Sequence, residues 1–295
     1  LPDDSPAADA ARVKGLSALK AKLAAIDAAS LSDEGKINRE FLAWTLDRRL
    51  QSLAFDENRM PFSSDGGFHW TMGYLASSVP MRSLADARAW IDRINAVPVY
   101  YATEIANARR GARDGFTQPR ATVEQVIARA KEQAAAPVET DVMMGPLNRL
   151  PASIPASQQD ALRKEAAAAI AGKVRPAQAQ FVTFLEKEYL PRARKALAAR
   201  TLPNGERYYA WLVQDHTTTA LTPDQIHQNG LDEVARIRKE MDGVIAQTGF
   251  KGDFAAFQTF LRTDPQFYVT TRQALLEKAS EIAKRIDDQL PGWFA

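Results

Sequence analysis

Apolar residues return at three- and four-residue intervals along almost the whole of this chain, and that period admits helices and little else. Leu16, Leu19, Leu23 and Ile26 mark the first such stripe. Ser32 and Asp33 then open a second helix, with Ile37, Phe41, Leu42, Trp44, Leu46 and Leu50 mostly on one side. A third is expected over residues 83–110, turning Leu84, Ala87, Ile91, Ile94 and Val97 inward, with Pro98 breaking or kinking it. A short helix over 122–134 and a long Ala-rich one over 157–200, divided by Pro176 and Pro191, come next. Thr222-Pro223-Asp224-Gln225 is the best-marked helix start: a capping hydroxyl, a proline at the first helical position, an acid against the dipole and a reciprocal amide. The stripe behind it, Ile226, Gly230, Val234, Ile237, Met241, Val244 and Ile245, is expected to be buried, with Gly230 admitting a close helix and Gly249 ending the run. Phe254, Phe257, Phe260 and Leu261 mark a further helix, and Leu275, Leu276, Ile282 and Ile286 the last. No strand-like alternation of useful length and no fixed-period repeat competes with this pattern.

The fold class is therefore all-α, a multi-helix array with long helices and two irregular connections. One connection, over residues 55–80, is rich in aromatics and glycine, and a loop of that length is expected to pack and to serve a site. The other carries four prolines between Pro137 and Pro155. The 295 residues are read as a single helical domain or half-domain, with sub-segments 1–136 and 157–295 joined by residues 137–156.

Charge narrows the partners. Thirty-eight Lys and Arg against 36 Asp and Glu leave a net charge of +2, without the basic excess of a nucleic-acid binder. No apolar run is long enough to span a bilayer. Cysteine is absent, which removes disulfides, thiolate nucleophiles and Cys-based metal sites, and only His69, His216 and His227 remain as imidazoles. The chain opens on Leu1-Pro2-Asp3-Asp4, as a cleaved or omitted leader would leave it. It closes on Leu290-Pro291-Gly292-Trp293-Phe294-Ala295, side chains that need a core to enter. Two explanations stand: the natural chain continues, or the tail docks back on its own domain.

Familiar catalytic motifs are missing. His216 and His227 lie eleven apart across a proline-started helix, so no pair has the i, i+4 spacing of helical zinc ligands, and no metal site is assigned. Neither Gly66-Gly67 nor Gly111…Gly115 ends in the Gly-Lys-Ser/Thr of a phosphate loop, and no Gly-x-Ser-x-Gly elbow occurs. Adjacent acids such as Asp232-Glu233 diverge on a helix and read as solvated faces. Two segments stand out. Leu202 to Thr219 runs from a Pro-Asn-Gly-Glu turn through Tyr208, Tyr209 and Trp211 to His216-Thr217-Thr218-Thr219, a cluster of hydroxyls and an imidazole able to position a peptide backbone or carboxylate. The plainer reading is that His216 complements a helix end. Gly66-Gly67-Phe68-His69-Trp70-Thr71-Met72-Gly73-Tyr74 combines close backbone approach with an apolar wall, as small-molecule and peptide pockets do. Its plainer reading is a histidine packed among aromatics.

Taken in order, these segments resemble bacterial domain-of-unknown-function family 885. The densest match is Leu202-Pro203-Asn204-Gly205-Glu206…Tyr209…His216-Thr217-Thr218-Thr219, then Thr222-Pro223…Ile226-His227…Gly230-Leu231-Asp232-Glu233-Val234…Arg236-Ile237…Glu240-Met241. Phe257…Phe260-Leu261-Arg262-Thr263-Asp264-Pro265-Gln266-Phe267-Tyr268 and, upstream, Glu188-Tyr189-Leu190-Pro191…Ala193-Arg194 fit as well. The resemblance implies the N-terminal helical half of a protein about twice as long, similar to zincin metallopeptidases, whose His-Glu-type metal motif lies beyond Ala295. It implies zinc in the longer protein but none in this chain, no catalytic residue here, and a periplasmic or lipid-anchored location. The expected role is one wall of a peptide-binding cleft in a metallopeptidase or related hydrolase, inactive alone and partnered by the missing half. A non-catalytic helical binding or scaffold module is the alternative. Candidate residues for contact with a peptide or small-molecule substrate are Tyr208, Tyr209, His216, Thr217 and Thr218, then His69 and Trp70.

Overall fold

A computed structural model describes residues 1–294. The described residues are helical, with β-bridging confined to two isolated contacts, Phe62 with Gly67 and Pro119 with Arg194. The chain divides into two compact units, Leu1–Thr219 and the residues from Ala220 onward.

The first unit begins with a helical pair, α1 (Pro6–Ala24) and α2 (Asp33–Phe55). Ser5 and Ser32 cap their N-termini through the Ala8 and Gly35 amides. The stripe on α2 forms, yet Ile37, Phe41, Leu42 and Trp44 stay exposed and only Leu46 is buried. Residues 56–70 are not structureless. A turn at Glu57–Arg59 leads to a tight reversal in which the Ser63 amide donates to the Gly66 carbonyl at 2.9 Å, and then to a turn at Phe68–Trp70 and α3 (Thr71–Ser78). Gly67 sits at φ 132°, where a Cβ would stand 2.7 Å from the Phe62 backbone, so the reversal requires glycine.

The core forms around α4 (Leu84–Asp114), which buries Trp90, Ile91, Ile94, Val97 and Tyr101. The expected break at Pro98 does not occur, for α4 runs through it. A proline inside a helix costs about 3 kcal/mol. Burying each large apolar side chain on the flanking turns contributes about 1.5–3 kcal/mol, so packing outweighs the lost hydrogen bond. Next come α5 (Arg120–Ala135), α6 (Ala156–Ala169) and α7 (Arg175–Phe184). The proline-rich residues between α5 and α6 fold into three short 3₁₀ turns that bury Met143, Met144 and Leu147, and the Trp90 indole donates to the Met143 carbonyl at 2.8 Å. They are core.

The long Ala-rich helix ends near Arg192, short of the expected residue 200. Its prolines are accommodated by wide π turns, Ile170–Val174 ahead of Pro176 and Leu185–Tyr189 ahead of Pro191. The wider ring removes the demand for the amide that proline lacks. From Ala193 the Arg194 side chain gathers the strand-like return, donating to the Thr117, Ala196 and Ala198 carbonyls at 2.8, 3.0 and 2.7 Å. The unit closes with α8 (Gly205–Thr217), whose Tyr208 and Trp211 pack with Phe116 and Leu202 in a second small core.

The second unit contains α9 (Pro223–Gln247), α10 (Phe254–Thr263), α11 (Arg272–Asp287) and the short α12 (Leu290–Trp293). The capping box forms as the sequence specifies: the Thr222 amide donates to Gln225 Oε1 at 2.8 Å, and the Gln225 amide to Thr222 Oγ1 at 3.3 Å. Gly249, at φ 74°, follows the helix end. The stripe on α9 is not buried as expected: Val234, Ile237, Met241 and Val244 are exposed, and Ile245 is the one buried member. Gly230 faces open space rather than a close helix. Trp293 and Phe294 are 80% and 76% exposed. The helical period is real, but too few elements cover it within the unit.

Candidate functional site

Helix α8 turns two residue pairs, one turn apart, toward a groove: Trp211 with Asp215, and Leu212 with His216. Helix α2 faces them with Trp44, Arg48 and Ser52, and with Thr45, Arg49 and Leu53, each set repeating every four residues. Asp9, Arg12 and Leu16 of α1, with Asp4 before it and Glu57-Asn58 after α2, complete the lining of a cavity of about 550 Å³.

Its charges are largely organised. Arg48 pairs with Asp215 and lies 4.6 Å over the Trp44 ring. Arg12 donates to Asp9 at 2.5 Å and stands 3.4 Å from Asp4. Asn58 donates to Asp9 at 2.8 Å. Glu57 accepts from Ser52 at 2.6 Å and from the Tyr208 hydroxyl at 2.8 Å, fixing its carboxylate on the floor. Arg49 has no carboxylate partner among the described residues, and the buried Trp211 indole N–H has no hydrogen-bond acceptor. Arg49 is exposed and is the donor the groove leaves for something else. Behind the acidic end, Glu104 is 2% exposed, and burial, with Asp4 adding, raises its pKa to about 7.

The sequence-derived candidates separate. His216 lines this groove, its Nδ1 2.9 Å from the Leu212 carbonyl. Tyr208 is buried against Phe55, Phe116 and Trp211 and reaches the groove through Glu57, while burial and that carboxylate push its phenol pKa upward. Tyr209 is partly exposed outside the lining. Thr217 spends its hydroxyl on the Val213 carbonyl at 2.8 Å. Thr218 ends α8 in the left-handed region, φ 56°, an unfavourable conformation for a β-branched residue. Arg12, Trp44, Arg48, Arg49 and Asp215 escaped the sequence reading. The signal was there, in the four-residue repeat of Trp44, Arg48 and Ser52, but an apolar search passes over a polar stripe.

His69 and Trp70 line a different and smaller cavity, of about 160 Å³, formed by residues of α3, α4, α5, the 3₁₀ turns and α7. Among the described residues no group of three or more His, Asp or Glu is placed to hold a metal ion. His69 is enclosed by the Phe68, Trp70 and Phe181 rings, so its surroundings do not fit a zinc ligand set, and no reaction step is routed through zinc here.

Comparison with known proteins agrees with the helical architecture. The family model described as "Bacterial protein of unknown function (DUF885)" matches residues 1–295. No curated protein matches the chain. A solved structure of a "putative lipoprotein" from Colwellia psychrerythraea superposes with a TM-score of 0.84 at 21% identity, over 97% of this chain and 51% of that one. The chain thus spans about half the length of that solved protein.

Proposed function

The chain belongs to the bacterial DUF885 family, and from that premise we propose that it forms one wall of a peptide-binding cleft in a hydrolase of the zincin-like metallopeptidase kind. The groove between α1, α2 and α8 carries this reading. Its size suits a short peptide segment, and the exposed Arg49 offers donors to a carboxylate or a peptide carbonyl. Arg48 and Asp215 hold each other in place beside His216, so the polar surface is preorganised. These residues bind and orient; bond cleavage, with its metal, belongs to residues outside those described. In this proposal the whole protein is exported or lipid-anchored, which the likeness to the Colwellia psychrerythraea protein supports. No helix of the described residues is long and apolar enough to cross a membrane.

The test is a fluorescence-anisotropy titration of labelled peptides with and without a free C-terminal carboxylate. Carboxylate-bearing peptides are expected to bind, with affinity falling at least about tenfold in Arg49→Ala and in His216→Ala. Equal binding to the native chain and both variants removes the proposal.

A scaffold reading is favoured by one different observation. Helices α9 and α10 leave an apolar hollow of about 380 Å³ between Ile237, Met241, Val244, Phe254, Phe257 and Leu261. A surface of that kind is a place for protein contact rather than chemistry.

A further inference from the structure

One apolar stripe of the first unit leads directly into the groove. Ile37, Phe41 and Trp44 follow one another on α2 at the i, i+4, i+7 spacing of a single helix face. Ile37 and Phe41 are each 66% exposed and Trp44 is 42% exposed. Trp44 belongs to the groove lining, while Ile37 and Phe41 lie beyond it toward the helix start. Phe41 stacks on Trp44 with ring centroids 5.9 Å apart and planes 25° from parallel. Arg48 lies over the Trp44 ring and is itself paired with Asp215, so the aromatic pair is anchored from inside the groove. Large apolar side chains displayed side by side mark a surface that something covers.

Charge and spacing specify what covers it. Arg49, exposed in the groove lining and without a carboxylate partner among the described residues, calls for an anion. Trp44 stands five residues before it, about 7.5 Å along the helix at 1.5 Å per residue. An extended peptide advances roughly 3.3 Å per residue. A peptide whose terminal carboxylate sits on Arg49 therefore passes Trp44 two residues earlier and approaches Phe41 next. A membrane surface fits less well. From Asp33 to Trp44, helix α2 carries Asp33, Glu34 and Glu40 against Lys36 and Arg39, without the basic excess that anionic lipid attracts.

Resting on the reading of the α1–α2–α8 groove as a peptide site, we propose that Trp44 and Phe41 are its specificity-determining residues, selecting peptides with an aromatic side chain two residues before a free C-terminal carboxylate. The carboxylate pairs with Arg49, and the peptide ring packs against the Trp44–Phe41 pair. An aromatic ring gains there both from leaving water and from stacking, where an aliphatic side chain gains from the first alone.

The probes are three labelled pentapeptides with free C-termini, titrated by fluorescence anisotropy: Gly-Gly-Phe-Gly-Gly, Gly-Gly-Ala-Gly-Gly and Gly-Gly-Gly-Gly-Phe. The first is expected to bind at least about tenfold tighter than the second, and moving the ring to the last position should lose most of that advantage. In Trp44→Ala the advantage should fall to about twofold or less, and in Phe41→Ala by at least about half. Phe41 lies outside the groove lining and is mostly exposed, so its variant decides the matter should Trp44→Ala disturb Arg48. Arg49→Ala should weaken all three peptides and leave their ratios in place. Equal binding of the first two peptides by the native chain overturns the proposal while the carboxylate reading stands, and binding of none of them removes both. A Phe41→Ala variant that keeps the peptide ratios but loses attachment to vesicles of phosphatidylglycerol and phosphatidylethanolamine also overturns it, since the stripe then meets a membrane.

Discussion

Two buried ionisable groups pull the pH dependence of this protein in opposite directions. His69 has its pKa lowered from 6.5 to about 4, so the unfolded chain takes up the proton first. Its contribution to stability is complete above pH 6.5 and is lost as pH falls toward 4. Glu104 has its pKa raised from 4.5 to about 7, so the folded chain holds the proton longer. Its contribution is complete below pH 4.5 and is lost as pH rises through 7. Glu104→Gln should therefore stabilise the protein by about 2 kcal/mol at pH 8 and change little at pH 4.5, as thermal melts at the two pH values will read. Thr218 gives a second expectation. Its left-handed backbone costs roughly 1–2 kcal/mol, which glycine avoids apart from its greater freedom when unfolded. Thr218→Gly is expected to raise stability by about 1 kcal/mol in denaturant titration, without altering the groove lining, to which Thr218 does not contribute. None of this was visible in the residues alone. His69 and Thr218 stood out by type and neighbourhood, but whether a histidine is satisfied, or a threonine strained, depends on atoms far away in the chain.

At the scale of elements, α4 is the member around which the first unit is built, and Gly111 is its closest contact. A Cβ there would collide with the Arg59 carbonyl and stand 2.7 Å from that of Phe116, both backbone atoms that cannot swing aside. Gly111→Ala is accordingly expected to cost about 2–3 kcal/mol and to loosen the Glu57–Arg59 turn that carries Glu57 to the groove. A fall in Tm with weakened peptide binding would be the observation. Thr222→Ala, by contrast, removes half of a capping box on an exposed helix and should cost only about 1 kcal/mol. Helix starts were legible because their signals lie within four residues, as at Ser32 and Thr222. By the same local logic Pro98 was read as a break or kink, and Pro176 and Pro191 as dividing the long helix into segments. The helix continues through the first, and the long helix is divided by a widened turn ahead of each of the others, because neighbouring helices hold those segments in place.

Across the whole molecule the two units differ in how much they bury. The first has a core that extends from Phe62 to Tyr189, whereas Ile245 is the one buried residue noted among the helices of the second. Amide hydrogen exchange on the full chain is expected to show slow exchange within α4, α6 and α7 and fast exchange throughout α9 to α11. Protection of α9 equal to that of α4 would contradict this. The sequence by itself determined the all-α class, the helix starts and their apolar stripes, since helical hydrogen bonds and caps join residues four apart. Only tertiary structure decided which stripes are covered, which prolines are tolerated, and that Arg49, Asp215 and His216 share one groove while His69 lies in another cavity. Burial and cavity shape depend on segments a hundred residues away, and no local period encodes them.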